Sequence, residues 1–203
     1  MTDYTQFRKH LEDLRKTVYV EPKLKYHEKI IDSAFGHFVK NGSFTDVLDV
    51  GFGTGYSLDK FKELGLKVTG ITLDEEERRA AHFLGHEVKL MDMAFLDFED
   101  KSFDLIWCRH SLEHSVMPLI ALLEFNRVLR DGGHLYVEVP SDNILHMENP
   151  NHYSLLSDGM WQSLFRKVGF HLLFRGQTAV NIAGGENSSG YFDIYPQYWL
   201  KKI

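Results

Sequence analysis

The sequence predicts an α/β fold with a doubly wound, seven-stranded, mostly parallel sheet that ends in an antiparallel C-terminal hairpin. The apolar run Val47 to Val50 leads into the glycine turn Gly51 to Gly55 and then into a helical pattern, as a buried parallel strand does. Strand and helix patterns alternate from there to Pro140, which indicates right-handed parallel crossovers. The last two strand patterns have no helix between them, so they should pair antiparallel.

Length and composition fit a single domain over residues 1–203. The chain has 43% hydrophobic and 13% aromatic residues, which can supply a full core. Its apolar runs are too short to span a bilayer, its N-terminus is charged from the third residue, and its one cysteine excludes an internal disulfide. These features predict a cytoplasmic protein with no signal peptide and no membrane partner.

Charge and histidine content narrow the range of ligands. The net charge is -6 and the basic residues are dispersed, so nucleic acid is not an expected partner. The eleven histidines include no HExxH sequence and no paired Cys/His ligands, so the sequence predicts no metal site. It gives no oligomeric state.

Two helices are predicted before the glycine turn, over residues 2–16 and 26–39, with Asn41-Gly42 ending the second. The following helices are predicted over 56–64, 74–84, 118–129 and 160–168, and the further strands over 67–71, 87–91, 103–108, 134–139, 170–174 and 191–200. Arg130 to Gly133 is interpreted as a turn and Gly176 to Gly190 as a glycine-rich connection. Pro196 should be tolerated only near an edge or an irregularity.

The glycine spacing separates the possible ligands. A dinucleotide-binding turn requires a glycine where Tyr56 stands, and a P-loop requires Lys and Ser/Thr where Tyr56 and Ser57 stand. DVGFGTG instead resembles the first motif of the class I S-adenosylmethionine-dependent methyltransferases, and LRDGGHLYVEVP resembles a later segment of that family. The resemblance runs from Val47 to the C-terminus and is strongest up to Pro140. It implies a Rossmann-like methyltransferase fold with S-adenosyl-L-methionine as cofactor.

The same resemblance implies cofactor-binding residues at four strand ends. They are Asp49, Gly51, Phe52, Gly53 and Gly55 after the first strand, Thr72 and Leu73 after the second, Asp92 and Met93 after the third, and Arg109 after the fourth. Thr72 stands where the family usually has an acid that binds the ribose, and Asp74 is either the alternative ribose ligand or a helix N-cap. Asp92 is expected either to accept the adenine amino group or to begin a turn.

Methyl transfer from a sulfonium requires alignment of the reacting atoms and exclusion of water rather than a catalytic nucleophile. His110, near the fourth strand end, and His152, in the polar loop 141–158, are the candidate bases; ordered loop histidines are the alternative interpretation. His114, within Leu-Glu-His, matches a family pattern that is often architectural. The loop 141–158 is expected to face the substrate.

Two interpretations stay open for residues 1–40: helices packed on the sheet edge, or a lid in which Tyr19 and Tyr26 face the ligands. The Asn/Asp-Pro-Pro-aromatic sequence that the family uses on nucleobase or amide nitrogen is absent after the fourth strand. The resemblance therefore implies methyl transfer to an O or N nucleophile of a small molecule. The alternative function is a non-catalytic S-adenosylmethionine-binding module acting in a complex.

Overall fold

A computed structural model describes residues 5–15, 25–181 and 192–203. The strands are β1 Asp46–Val50, β2 Lys67–Thr72, β3 Glu87–Leu90, β4 Phe103–Arg109, β5 Leu129–Glu138, β6 Phe170–Asn181 and β7 Phe192–Lys202. The helices are α1 Thr5–Arg15, α2 Lys25–Ala34, α3 Tyr56–Glu63, α4 Glu75–Phe83, α5 Pro118–Val128, α6 Ile144–Met147 and α7 Asp158–Lys167. One π-helical turn, Phe35–Val39, continues α2, and a 3₁₀ turn, Leu112–His114, follows β4. Among the helices of these residues, none combines the length and the apolarity needed to cross a bilayer.

The strands form one seven-stranded sheet in the order β3-β2-β1-β4-β5-β7-β6. Every neighbouring pair is parallel except the two that involve β7. This confirms the predicted doubly wound, mostly parallel sheet with an antiparallel C-terminal hairpin. Because β1 pairs with β2 on one side and with β4 on the other, the chain reverses its winding direction there, and ligands of open α/β sheets bind at that point.

Helices cover both faces of the sheet because alternate residues of each buried strand point to opposite faces. On one face Leu48 and Ile106 pack with residues of α5 and α7, and on the other Val47 and Trp107 pack with residues of α2 and α3. The Trp107 ring stacks on Tyr136 with the ring centroids 4.1 Å apart. The near-continuous apolar runs in β1 and β4 follow from this two-sided burial.

The helices begin and end at the residues that favour helix termini. Pro118 lies in the first turn of α5, where its missing N–H is not needed. Gly65, Gly85 and Gly169 follow α3, α4 and α7 with φ of 75°, 82° and 88°, the left-handed conformation of a helix C-terminus.

Two predicted boundaries were wrong. Arg130 to Gly133 is not a separate turn but the first part of β5, which holds a register shift opposite Phe103 and Leu105. β6 does not end at Phe174 but continues through Gly176 to Asn181, because it pairs with β7 over its whole length. The loop 141–158 contains the short helix α6 and ends where α7 begins.

Pro196 lies in β7, which is an interior strand of the sheet. It pairs with Gln177 of β6 and stands one residue beyond the last β5–β7 pair, Glu138 with Gln197. Val139 N–H still donates to the Pro196 carbonyl at 3.2 Å, so the proline removes only the return bond at the end of the β5–β7 pairing. The predicted irregularity is therefore the end of this pairing and not a sheet edge.

Candidate active site

The glycine turn after β1 opens the site at the point where the winding direction reverses. Gly51, Gly53 and Gly55 have φ of 70°, 53° and 87°, which side-chain-bearing residues rarely adopt. A side chain at Gly51 would collide with Ser111, whereas a Cβ at Gly53 would meet no atom of the described residues within 4 Å. Gly51 therefore allows close packing against the loop after β4, and Gly53 leaves space for a ligand.

Asp49 lies beneath this turn. It is 1% exposed, and its carboxylate accepts a hydrogen bond from Ser57 Oγ at 2.5 Å. Burial raises the pKa of Asp49 to about 7, against the opposing effects of the Ser57 hydrogen bond and the Arg109 charge. The ring of Phe52 is also buried, in the core next to Gly70, where a side chain would collide with it. Phe52 thus offers backbone rather than its ring to a ligand in the turn.

The end of β2 carries an acid that the sequence did not predict there. Thr72 Oγ1 donates a hydrogen bond to Glu77 Oε2 at 2.7 Å and accepts one from the backbone N–H of Asp74 at 3.0 Å. Asp74 caps α4 by accepting the backbone N–H of Glu77 at 2.7 Å. The N-cap interpretation of Asp74 is confirmed. Glu77 places its half-buried carboxylate beside Thr72, and burial raises its pKa.

The end of β3 forms a turn. Asp92 Oδ1 accepts the backbone N–H of Ala94 at 2.9 Å, and Met93 packs against the core on the α5 side. The turn-forming interpretation of Asp92 is therefore correct, and adenine recognition by Asp92 and Met93 stays a prediction. The ring of Phe7 in α1 contacts the edge of Phe95 here, with centroids 6.4 Å apart.

A buried polar network joins the ends of β4 and β5. Glu138 is fully buried, and its Oε1 lies 2.6 Å from Arg109 Nε and 3.2 Å from His110 Nε2. Its Oε2 accepts hydrogen bonds from Tyr136 OH at 2.9 Å and from Gln197 Nε2 at 2.6 Å. Burial alone would raise the pKa of Glu138, but the Arg109 charge and the His110 hydrogen bond hold it at about 2. Arg109, predicted to bind cofactor, forms this ion pair, and its role at the cofactor stays a prediction.

Five of the eleven histidines gather above this network and form what we call the histidine cluster: His27, His110, His114, His146 and His152. Their rings form two groups, with centroids 5.2 Å apart for His27 and His110 in one, and 5.0 Å for His114 and His152 and 5.8 Å for His146 and His152 in the other. Tyr195 of β7 contacts both His110 and His146. Because β7 runs antiparallel to β5, its first residues reach the carboxyl end of β5.

Besides His110, which is bonded to Glu138, three of these rings are fixed in orientation by hydrogen bonds. His146 Nε2 lies 2.5 Å from Asp193 Oδ1, and Asp193 Oδ2 accepts Tyr195 OH. His114 Nδ1 and His152 Nδ1 each lie 2.8 Å from a backbone carbonyl, that of Asn151 and that of His146. A carbonyl accepts only, so both Nδ1 atoms carry the proton and both Nε2 atoms carry the lone pair.

The structure brings both predicted bases, His110 and His152, into this cluster, and Tyr26 joins it through a 3.5 Å contact to Tyr195 OH. Tyr19 lies outside the described residues. Sequence reasoning missed the roles of further residues at the site: Glu77, Glu138, His27, His146, Asp193 and Tyr195. Only His146 carried a signal, its place in the polar loop after β5.

Comparison with known proteins identifies methyltransferases as similar to this chain. Residues 48–137 match the profile of a family described as a methyltransferase domain. The chain is 29% identical over 137 residues to YcgJ of Bacillus subtilis, an uncharacterized methyltransferase, with 59% of this chain and 54% of the relative covered. It is 28% identical over 153 residues to a tRNA U34 carboxymethyltransferase of Nautilia profundicola, with 68% and 49% covered. The chain thus spans about half the length of the curated relatives it matches.

Among solved structures, a SAM-dependent methyltransferase of Archaeoglobus fulgidus shares the fold with a TM-score of 0.69 at 15% identity, covering 86% of this chain and 94% of that one. Sheet order, antiparallel β7 and the glycine turn define the class as the class I S-adenosylmethionine-dependent methyltransferase fold. Residues 48–137 match this methyltransferase family, whose class I members use S-adenosylmethionine as cofactor.

Proposed function

We propose that this protein transfers the methyl group of S-adenosylmethionine to an O or N nucleophile of a small molecule. The observation that carries the proposal is the direct connection between the open glycine turn and the histidine cluster. Ser111 Oγ donates to the carbonyl of Val50 at 2.9 Å and lies against Gly51, and the preceding residue is His110. A ligand over Gly53 would therefore have titratable side chains within reach of its reactive end.

The cofactor would lie across the ends of β1, β2 and β3. The glycine turn has room for its amino-acid part, Thr72 and Glu77 offer a hydroxyl and a carboxylate to the ribose, and Asp92 with Met93 offers an acceptor and an apolar surface to adenine. The cofactor supplies a methyl group on a sulfonium, so the protein needs mainly to align the nucleophile with it. Such alignment is worth about 7–11 kcal/mol in favourable cases.

The histidine cluster is the proposed binding site of the methyl acceptor. His110 and His146 are each held by a carboxylate, Glu138 and Asp193 respectively, and His152 is held by a backbone carbonyl. A ring oriented in this way can receive a proton from an acceptor hydroxyl or amine as the methyl group moves. The contact of Phe7 with Phe95 supports a lid role for α1 over the adenine end of the site.

A ligand-binding experiment separates this function from its alternatives. S-adenosylhomocysteine should raise the melting temperature of the protein and NAD should not, because Tyr56 occupies the position that a dinucleotide requires. A screen of small acceptors and of tRNA with labelled S-adenosylmethionine then reads the transfer itself. Stabilisation without any labelled product would favour the non-catalytic module, and labelled tRNA would replace the small-molecule acceptor. Stabilisation by NAD alone would contradict the proposal.

Glu77 is expected to bind the ribose, and this is testable against Asp74. Loss of a hydrogen bond to a charged group costs about 1.5–3 kcal/mol, so Glu77→Ala should weaken S-adenosylhomocysteine binding by roughly ten-fold to over a hundred-fold in calorimetry. Asp74→Ala should instead lower the unfolding free energy by about 1 kcal/mol through loss of the cap, with little change in affinity. A larger loss of affinity in Asp74→Ala than in Glu77→Ala would make Asp74 the ribose ligand.

Asp49 should make cofactor binding depend on pH. In the folded protein the pKa of Asp49 is about 7, above the usual 3.8, because burial favours the protonated carboxyl group. Ionisation of the buried Asp49 therefore lowers the free energy of unfolding increasingly as pH rises from about 4 to 7. A cationic cofactor favours the ionised form, so affinity should rise about ten-fold between pH 6 and 8. Calorimetry on Asp49→Asn should show a flatter pH profile than the parent. If cofactor affinity changed equally with pH in both proteins, Asp49 would not be the cause of the pH dependence.

A further inference from the structure

We propose that Glu113, His114 and His152 form a binding site for one divalent transition-metal ion in the wall of the histidine cluster. The three side chains offer one carboxylate oxygen and two imidazole nitrogens, all within 4.8 Å of one another. Glu113 Oε1 lies 3.9 Å from His114 Nε2, and the His114 and His152 rings lie 5.0 Å apart. The three residues come from the 3₁₀ turn after β4 and from the loop after β5. An ion bound to His152 Nε2 would replace the proposed role of that ring as a base and leave this role to His110 and His146.

The tautomers of the two histidines suit metal binding. In both rings Nδ1–H donates to a backbone carbonyl, which puts the lone pair on Nε2. His152 Nε2 accepts a hydrogen bond from Asn149 Nδ2 at 3.2 Å, which a metal ion would have to replace. An imidazole that ligates a metal usually has its other nitrogen held in this way, because the second bond fixes the ring and strengthens the ligand.

Charge and spacing agree with the same site. Glu113 is 1% exposed, so its carboxylate lies away from bulk water. Ligand atoms bound to one ion at about 2.0–2.2 Å lie roughly 3.0–3.6 Å apart, so small rotations of side chains would complete the site.

The donor set points to the kind of ion. Two imidazoles and one carboxylate suit Zn²⁺, Fe²⁺, Co²⁺ or Ni²⁺, whereas Mg²⁺ and Ca²⁺ prefer oxygen ligands alone. Three protein ligands leave coordination positions open for oxygen ligands from water or from an acceptor. This site could not be predicted from the sequence. Glu113 and His114 are adjacent and His152 follows 38 residues after His114 (152 minus 114), and this spacing matches no metal-binding motif.

The test reads the metal directly and does not depend on methyl transfer. Untagged protein stripped with a chelator should bind one Co²⁺ per chain with a visible absorption band, and Zn²⁺ should displace it. Loss of a residue that only hydrogen-bonds to a metal ligand lowers metal affinity by about 10- to 100-fold. Glu113→Gln and His152→Ala each remove a ligand itself, so each should lower the affinity by more than that. His37→Ala, a change at an exposed histidine on the π-helical turn, should leave the affinity unchanged.

Two results would overturn the proposal. One is parent protein that gives no Co²⁺ band and no heat with Zn²⁺. The other is a metal complex whose affinity survives in both Glu113→Gln and His152→Ala, since the ion would then lie elsewhere. Far-UV circular dichroism of each variant confirms that it is folded, and Glu113→Gln keeps the shape of the buried side chain while removing its charge.

Discussion

Gly53→Val is expected to abolish binding of S-adenosylmethionine, with a loss of affinity of at least about a hundred-fold in calorimetry. Gly53 has φ of 53° and open space where a Cβ would point, and this space lies at the strand end where the winding direction reverses. A branched side chain there would fill the volume that the cofactor needs. A loss of about 2.7 kcal/mol in binding free energy corresponds to that hundred-fold change.

Gly65→Val is the matched control for this variant. Gly65 also has positive φ, 75°, and a Cβ there would meet no atom of the described residues within 4 Å, but it lies at the other end of α3. Both variants carry a backbone penalty of about 1–2 kcal/mol. If Gly53→Val loses binding and Gly65→Val keeps it, the loss is caused by the side chain that fills the cofactor volume and not by backbone strain. Full affinity in a folded Gly53→Val protein would place the cofactor elsewhere.

Glu138→Ala is expected to cost about 3–5 kcal/mol of unfolding free energy, because it leaves Arg109 buried without its anionic partner. The same change removes the acceptor of Tyr136 and Gln197. Urea denaturation at pH 7 measures the loss. The double variant Arg109→Met with Glu138→Leu should recover much of it, since replacing both charges by apolar groups avoids the uncompensated cation.

A surface ion pair provides the comparison. Asp100 pairs with Arg127 at 2.9 Å with its side chain 72% exposed, so Asp100→Ala should cost less than about 1 kcal/mol. If Glu138→Ala were no more costly than Asp100→Ala, the network at the ends of β4 and β5 would contribute nothing to stability. Reading cofactor affinity in the double variant then separates the role of Arg109 in the fold from any role at the cofactor.

The parts of the fold that local chemistry controls were predictable. β1 and β4 are continuous apolar runs, and Gly65, Gly85, Gly169 and Pro118 mark helix ends, so element type and order followed from the sequence. The length of β6 did not, because its outer half is an exposed edge without an apolar pattern and is defined only by pairing with β7. Pairing of that kind is not encoded in a local window.

In the candidate site too, the local features were predictable from the sequence and the long-range contacts were not. The glycine turn and the N-cap Asp74 are local features, and the sequence predicted both. Glu77 was missed because only the turn between β2 and α4 directs its side chain back to Thr72. The histidine cluster was missed as a unit because His27 and Tyr195 are brought together from opposite ends of the chain by the interior position of β7.

That interior position has a consequence for protein engineering. The segment shared with the methyltransferase family ends at residue 137, and His27, His146, Asp193 and Tyr195 all lie outside it. A mutant library confined to those four positions would vary the wall of the proposed acceptor site without altering the glycine turn. Selection for a new acceptor and retention of the methyl donor are thereby assigned to different stretches of the gene, which is the arrangement that directed evolution exploits most easily.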